Sequence, residues 1–385
     1  MLFSLSQFAL PKHAIKSTLA YKRMFLPIAL LCLIFNESTR AVVLGALADA
    51  FLQVTMFVAA TLYGYYLLVN RFPKLELSYI AQVAPKLEIP FAALLGALPG
   101  CGGAIIVVTQ YTKKQASFGS LVAVLIATMG DAAFLLIAAE PKTALLVLTI
   151  SFTVATLFGW LVNLLHPANF LAPKTPSNQQ LQCQKLPKPV GFISLQFWRI
   201  VSLPMTLAAL LVAFQYDFGE NINQGLGYIA AACCFIVALL WACSSPGKSY
   251  QDVTAEDDCS KESLTTKVLQ DTHFITSWVV AAFIGYELFV LWSDVNIAAL
   301  FQNYAVLLPL IACLIGLLPG CGPQILVTSL YMQGLVPFSA LMANAISNDG
   351  DALFPAIALA PKAALIATLY TSIPSLAIGY LIFFF

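Results

Sequence analysis

Shifted by 220 residues, this chain matches itself. LPGCGGAIIVVTQY at 98–111 overlies LPGCGPQILVTSLY at 318–331 without a gap. Gly130-Asp131-Ala132 then overlies Gly350-Asp351-Ala352, and Pro141-Lys142 overlies Pro361-Lys362. Between 96–145 and 316–365, 23 of 50 positions are identical, where so apolar an alphabet gives about five by chance. With one residue of slip, Gly64-Tyr65 also resembles Gly285-Tyr286. The fold is therefore built twice, and whatever the unit does is done from two related positions.

Both copies lie in strongly apolar surroundings. The 385 residues are 60% hydrophobic and 10% charged, against about 25% charged in a soluble domain. Phe51–Val69, Ala144–Leu165 and Ala363–Phe385 are apolar runs close to the roughly 20 residues that cross a bilayer. The sequence predicts an all-α polytopic membrane protein with about nine or ten spans. A net charge of +1 leaves no electrostatic footprint for nucleic acid. Most of the nine cysteines stand in apolar stretches, where Cys acts as a small hydrophobe unless a metal or redox role claims it.

The order of segments follows. Residues 1–40 form a basic N-terminal segment with a short anchor helix, and 41–166 form the first membrane repeat. A Pro- and Gln-rich cytoplasmic linker covers 167–190, and two connecting transmembrane helices cover 191–243. An acidic cytoplasmic loop spans 244–271, with Asp252, Glu256, Asp257, Asp258 and Glu262. The second repeat is 272–385. Each repeat reads as a long helix (41–70, 273–293) and a short segment into LPGCG (88–98, 303–318). A short segment then leaves LPGCG (103–112, 323–333). A helix centred on Gly-Asp-Ala (118–139, 338–359) and a last helix (142–165, 362–384) complete the unit.

Pro99, Gly100 and Gly102, like Pro319, Gly320 and Gly322, break the helix inside each apolar region. Lys and Arg mark cytoplasmic loops. Arg71, Lys74 and Lys86 precede the first LPGCG, and Lys113-Lys114 follow it. A re-entrant hairpin puts both basic stretches on one side, whereas a kinked span would put one outside. With hairpins, an odd number of crossings separates the repeats, which makes them inverted, the plan of many transporters. Non-helical backbone at membrane depth is tolerated where protein or a water-filled cavity surrounds it.

Asp131 and Asp351 stand mid-membrane, where a carboxylate is costly and generally has a use. Asn348-Asp349-Gly350-Asp351 faces Thr128-Met129-Gly130-Asp131 in the other copy. Asp349 and Asp351 converge only if the helix unwinds at Gly350. Asp131, Asp349, Asp351, Asn348 and Thr128 are thus candidate ligands for a hard cation such as Mn²⁺. Cys101 and Cys321 serve either as soft ligands or as small residues where two tips pack. Asp49 and Gln53 share a helix face, and with Asp271, His273 and Glu287 they are candidate pathway or proton sites. For His273 a capping role is the alternative, and for Glu287 a surface position. The sequence carries no GxxxxGK[ST], HExxH or CxxC motif and no recognisable nucleophile–base pair.

The paired LPGCG, each followed by its acidic helix, and ADAFLQVTMFVAATL at 48–62 resemble the bacterial ten-helix heavy-metal exporters. Members are called arsenic efflux proteins or manganese transporters. The resemblance runs from about Ala41 to Phe385 and implies export of a metal or metalloid. The expectation is a secondary exporter, not an enzyme, in the bacterial inner membrane with a cytoplasmic N-terminus. It moves a divalent transition metal such as manganese by alternating access, is coupled to protons and needs no cofactor. Arsenite or organoarsenical efflux through the paired cysteines is the alternative, and an ion channel is the reading from another class. The expected partners are the metal or metalloid and the bilayer, not nucleic acid, with an oligomer left open.

Overall fold

Inside lipid every backbone amide and carbonyl needs an internal partner, which favours helices. The computed structural model describes residues 22–173, 188–214, 216–244, 264–293, 305–318 and 320–385, and every regular element in them is helical. Helix α1 is Phe25–Phe35. Asn36 accepts a hydrogen bond from Ser38 N at 3.1 Å and starts α2, Glu37–Asp49. A π-helical turn at Ala50–Thr55 joins α2 to α3, Met56–Arg71. Then follow α4 (Leu77–Val83), α5 (Pro85–Gly96), α6 (Gly102–Thr112), α7 (Phe118–Ala127), α8 (Ala132–Ala139) and α9 (Pro141–Leu165). Two connecting helices, α10 (Lys188–Ala213) and α11 (Glu220–Ser244), lead to α12 (Leu264–Ser293). The chain ends with α13 (Leu308–Gly316), α14 (Gly322–Met332), α15 (Phe338–Ser347), a 3₁₀ turn at Gly350–Ala352, α16 (Leu353–Leu359) and α17 (Pro361–Phe384).

Six helical stretches among the described residues are long and apolar enough to cross a membrane: Glu37–Arg71, Phe118–Ala139, Pro141–Leu165, Val190–Ala213, Glu220–Ser244 and Pro361–Phe384. Three details depart from the sequence reading. The first long helix carries the π turn. The stretches expected as single helices over 118–139 and 338–359 are each broken in two, at 128–131 and at 348–352. The stretch 244–271 is helical from Leu264, where α12 begins with the mixed sequence LTTKVLQ; 245–263 lies outside the described residues.

The 220-residue shift carries α6 onto α14 and α7 onto α15 end for end. At the centre, α7 is buried along its whole length and α15 nearly so, and the two pack on each other. A helix apolar all round belongs in such a place. Close approach to the flanking helix needs small residues. A Cβ on Gly159 of α9 would lie 2.8 Å from Ala123 Cβ, and one on Gly379 of α17 would lie 2.8 Å from Ala343 Cβ. These are equivalent pairs in the two copies.

One buried group breaks the equivalence for a clear reason. Glu88 of α5 is 5% exposed, and its Oε1 accepts from Ser117 N and Ser120 Oγ, each at 2.6 Å. It serves the start of α7, where an amide has no intrahelical partner. The second copy has Pro337 in place of Ser117 and Leu308 in place of Glu88. With no N–H there, no acceptor is required. Glu88→Leu is expected to destabilise the solubilised protein by about 1–3 kcal/mol, the cost of orphaning buried donors. Glu88→Gln, which keeps an acceptor, should lose clearly less. Equal melting temperatures for the two variants would refute this role.

Candidate metal site

Two breaks in each copy bring four segments together. Gly100 (φ +87°) and Gly320 (φ +112°) turn the chain out of α5 and α13. Cys101 and Cys321 follow as the residues that open α6 and α14. At the second break α7 ends at Thr128 and α15 at Asn348, both extended. Gly130 (φ +52°) and Gly350 (φ +57°) then reverse the path in a left-handed conformation that L side chains resist. Asp131 and Asp351 come directly after. The breaks are tied together: Gly100 N donates to Gly130 O at 3.1 Å.

The copies cross over at this point. Helix α14 of the second repeat packs on α8 of the first, and α16 of the second packs on α6 of the first. Cys101 Sγ and Cys321 Sγ thereby come to 3.4 Å. Asp351 Oδ2 lies 2.9 Å from Cys321 Sγ and 3.5 Å from Cys101 Sγ, and Asp351 N points to Cys101 Sγ at 3.4 Å. Two thiols and a carboxylate, all buried, hold their ligand atoms within 4.8 Å of one another. Tetrahedral zinc, with metal–sulfur and metal–oxygen bonds of 2.3 and 2.0–2.2 Å, sets its donors roughly 3.5–3.8 Å apart. The cluster needs little rearrangement to hold one such ion.

The other predicted ligands are placed differently. Asp131 lies outside this triad, although the preceding Gly130 sits against both thiols, a Cβ there falling 2.7 Å from Cys321 Sγ and 3.4 Å from Cys101 Sγ. Both its carboxylate oxygens are buried without a partner. Asp349 does not converge with Asp351, although the helix does unwind between them. It turns to α17, where Thr368 Oγ1 donates to its Oδ2. Asn348 shapes the turn, its Oδ1 accepting from Gly350 N at 2.5 Å. Thr128 Oγ1 is spent on Val124 O at 2.6 Å. Gly102 abuts Thr61 of α3, with no room for a Cβ; Pro99 is half-buried in its turn, and Pro319 lies outside the described residues.

The candidate pathway residues divide between two places. Asp49, Gln53, Glu287, Phe283, Gly320 and Gly322 line a cavity of about 190 Å³. Gln53 Nε2 donates to Asp49 Oδ1 at 2.9 Å, so the shared face holds. A Cβ on Gly320 would lie 3.8 Å from Asp351 Oδ1, so this acidic cavity abuts the Cys101–Cys321–Asp351 cluster. Each copy sets an aromatic pair against its LPGCG glycine, Phe57 and Phe134 on Gly100 and Phe283 and Phe354 on Gly320, but the ring centroids are 4.9 Å apart in the first copy and 6.3 Å in the second. Asp271 and His273 lie about two turns inside α12, not at its start. Tyr66 OH donates to Asp271 Oδ2 at 3.0 Å. His273 is 3% exposed and accepts from Trp198 Nε1 of α10 at 2.9 Å. It ties two helices together and caps neither.

Sequence reasoning missed Gln324 and Thr328, one turn apart on α14. Both are buried, and neither amide atom of Gln324 nor the hydroxyl of Thr328 has a partner. The available signal was the shift itself, because their counterparts are Ala104 and Val108. Thr55 and Thr276, joined Oγ1 to Oγ1 at 3.0 Å, also meet across the two repeats.

No curated protein and no solved structure matches this chain. A family of membrane proteins does, over residues 38–385. That match begins one residue inside α2 and spans both LPGCG breaks, both acidic turns and all the later helices among the described residues. The chain belongs to the family described as "Putative, 10TM heavy-metal exporter".

Proposed function

We propose that this protein is a secondary transporter that exports a thiophilic divalent metal ion, held between Cys101, Cys321 and Asp351. The observation that carries the reading is the meeting of one thiol from each repeat with a carboxylate, all buried and within 4.8 Å. Soft thiolates select zinc-like and softer ions, whereas an all-oxygen site is what manganese asks for. Asp349, which would have made the site oxygen-rich, faces Thr368 instead. This moves the substrate from manganese towards zinc or cadmium. Arsenite is the second reading, favoured by the thiol pair at 3.4 Å.

The two copies act as inverted repeats whose LPGCG tips are re-entrant and meet at mid-membrane. The Asp49–Glu287 cavity gives access from one side, and the Phe57–Phe134 pair closes the other. Alternating access exchanges these roles. The protein sits in the bacterial inner membrane with its N-terminus in the cytoplasm, and an ion gradient drives export.

The test is metal content and resistance in cells expressing the chain, across Cd²⁺, Zn²⁺, Mn²⁺ and arsenite. Wild type should lower cellular Cd²⁺ or Zn²⁺, and the Cys101→Ser/Cys321→Ser variant at equal membrane level should not. Lowered Mn²⁺ that survives loss of both thiols would overturn the reading. Protection against arsenite alone would select the second reading.

A further inference from the structure

Next to the thiol cluster lies a patch with different chemistry. Gln324 and Thr328 present one face of α14, which packs on α8. Gln324 Oε1 lies 3.7 Å from where a Cβ on Gly130 would sit, beside Asp131 at the entrance to α8. Both oxygens of Asp131, both amide atoms of Gln324 and the hydroxyl of Thr328 are buried without a hydrogen-bond partner. Gln324 is 1% exposed, Thr328 0% and Asp131 8%. Buried polar groups are nearly always satisfied, and a local concentration of orphans calls for something that binds them. Packing does not require polarity here, since the first repeat places Ala104 and Val108 at the same positions.

The available donors are a carboxylate, an amide carbonyl and a hydroxyl. All three are hard oxygens, suited to cations that thiols serve poorly. One carboxylate with two neutral oxygens balances a single positive charge, and a buried charge persists only when paired. Broken helices in transporters place such oxygens around a coupling cation.

We propose that Asp131, Gln324 and Thr328 form a second site, for a monovalent cation of the sodium class, adjacent to but distinct from the Cys101–Cys321–Asp351 cluster. The gradient of that cation then drives export; this last step rests on the transporter reading above, whereas the binding does not.

The test is thermal unfolding of the purified full-length protein, titrated with NaCl against choline chloride at constant ionic strength. Cd²⁺ binding is measured in the same samples. Na⁺ should raise the melting temperature saturably. Asp131→Asn and Gln324→Leu should weaken that response at least tenfold, while Cys101→Ser/Cys321→Ser retains it. Gln324→Leu removes two orphaned groups, so without Na⁺ it should melt no lower than wild type. Thr328→Val, nearly isosteric, serves as a second variant and should also weaken the Na⁺ response. No Na⁺-specific stabilisation of wild type, or a wild-type response in both Gln324→Leu and Thr328→Val, overturns the site. If Na⁺ stabilises the protein but Cd²⁺ fails to bind, the second site stands and the thiophilic-exporter reading falls. If Cd²⁺ binds and Na⁺ does nothing, the reverse holds.

Discussion

Asp351→Asn is expected to abolish the proposed metal export while leaving the protein in the membrane at its normal level. The substitution keeps shape and volume but removes the negative charge beside Cys321 Sγ, at 2.9 Å, and Cys101 Sγ, at 3.5 Å. An amide is a poor ligand for a divalent ion, and the two thiols then have to hold it alone. Changes around a metal ligand typically cost 10–100-fold in affinity, and loss of a ligand should cost about 100-fold or more. The measurement is Cd²⁺ binding to the purified protein, with export from loaded cells beside it. Asp349→Asn is the informative control. It lies two residues away in a sequence where both carboxylates look alike, but its partner is Thr368 of α17. Export by Asp349→Asn close to wild type, with loss in Asp351→Asn, would confirm that only one of the pair faces the metal. Equal loss in both would mean that Asp349 rotates into the site.

Gly130→Ala should be nearly as damaging through a single methyl group. The new Cβ would lie 2.7 Å from Cys321 Sγ and 3.4 Å from Cys101 Sγ, so Cys321 has to move. The left-handed backbone at φ +52° adds a strain of about 1–2 kcal/mol. Displacing one thiol disturbs the ligand set as loss of a supporting contact does, so metal affinity should fall about tenfold or more. Gly350→Ala meets Cys101 Sγ at 3.2 Å and Thr128 Cγ2 at 3.3 Å, distances that a small shift relieves. The expected order of Cd²⁺ affinity is wild type, then Gly350→Ala, then Gly130→Ala. The reverse order, or wild-type binding by Gly130→Ala, would refute the steric argument.

The duplication made much of this architecture readable. The copies agree at Cys101 and Cys321 and at Gly130 and Gly350, and these four residues do meet in the centre. Where the copies disagree the sequence is harder to read, because direction then depends on tertiary neighbours. Asp349 looks like a ligand until Thr368, nineteen residues on, turns out to hold it. Glu88 has no local mark at all; its use is set by a Ser117 amide on another helix. A lone Gln in a helix is ordinary in sequence, and only its unpartnered burial makes Gln324 notable. The π turn at Ala50–Thr55 leaves apolar periodicity almost unchanged over so short a stretch. Around Asp271 and His273 the preceding acidic, polar run hides how far α12 extends towards the N-terminus.

The crossing of the two repeats also has a consequence in time. Cys101 waits for a partner that lies 220 residues further along the chain. At synthesis rates of 5–20 residues per second that interval is roughly 10–40 s. Throughout it the emerging polypeptide has Cys101 without Cys321 or Asp351, and so only one of the three groups that meet in the finished protein. On the proposed reading, a chain cut short before Cys321 has neither the second thiol nor the carboxylate of the site, so its expression should leave cellular Cd²⁺ unchanged.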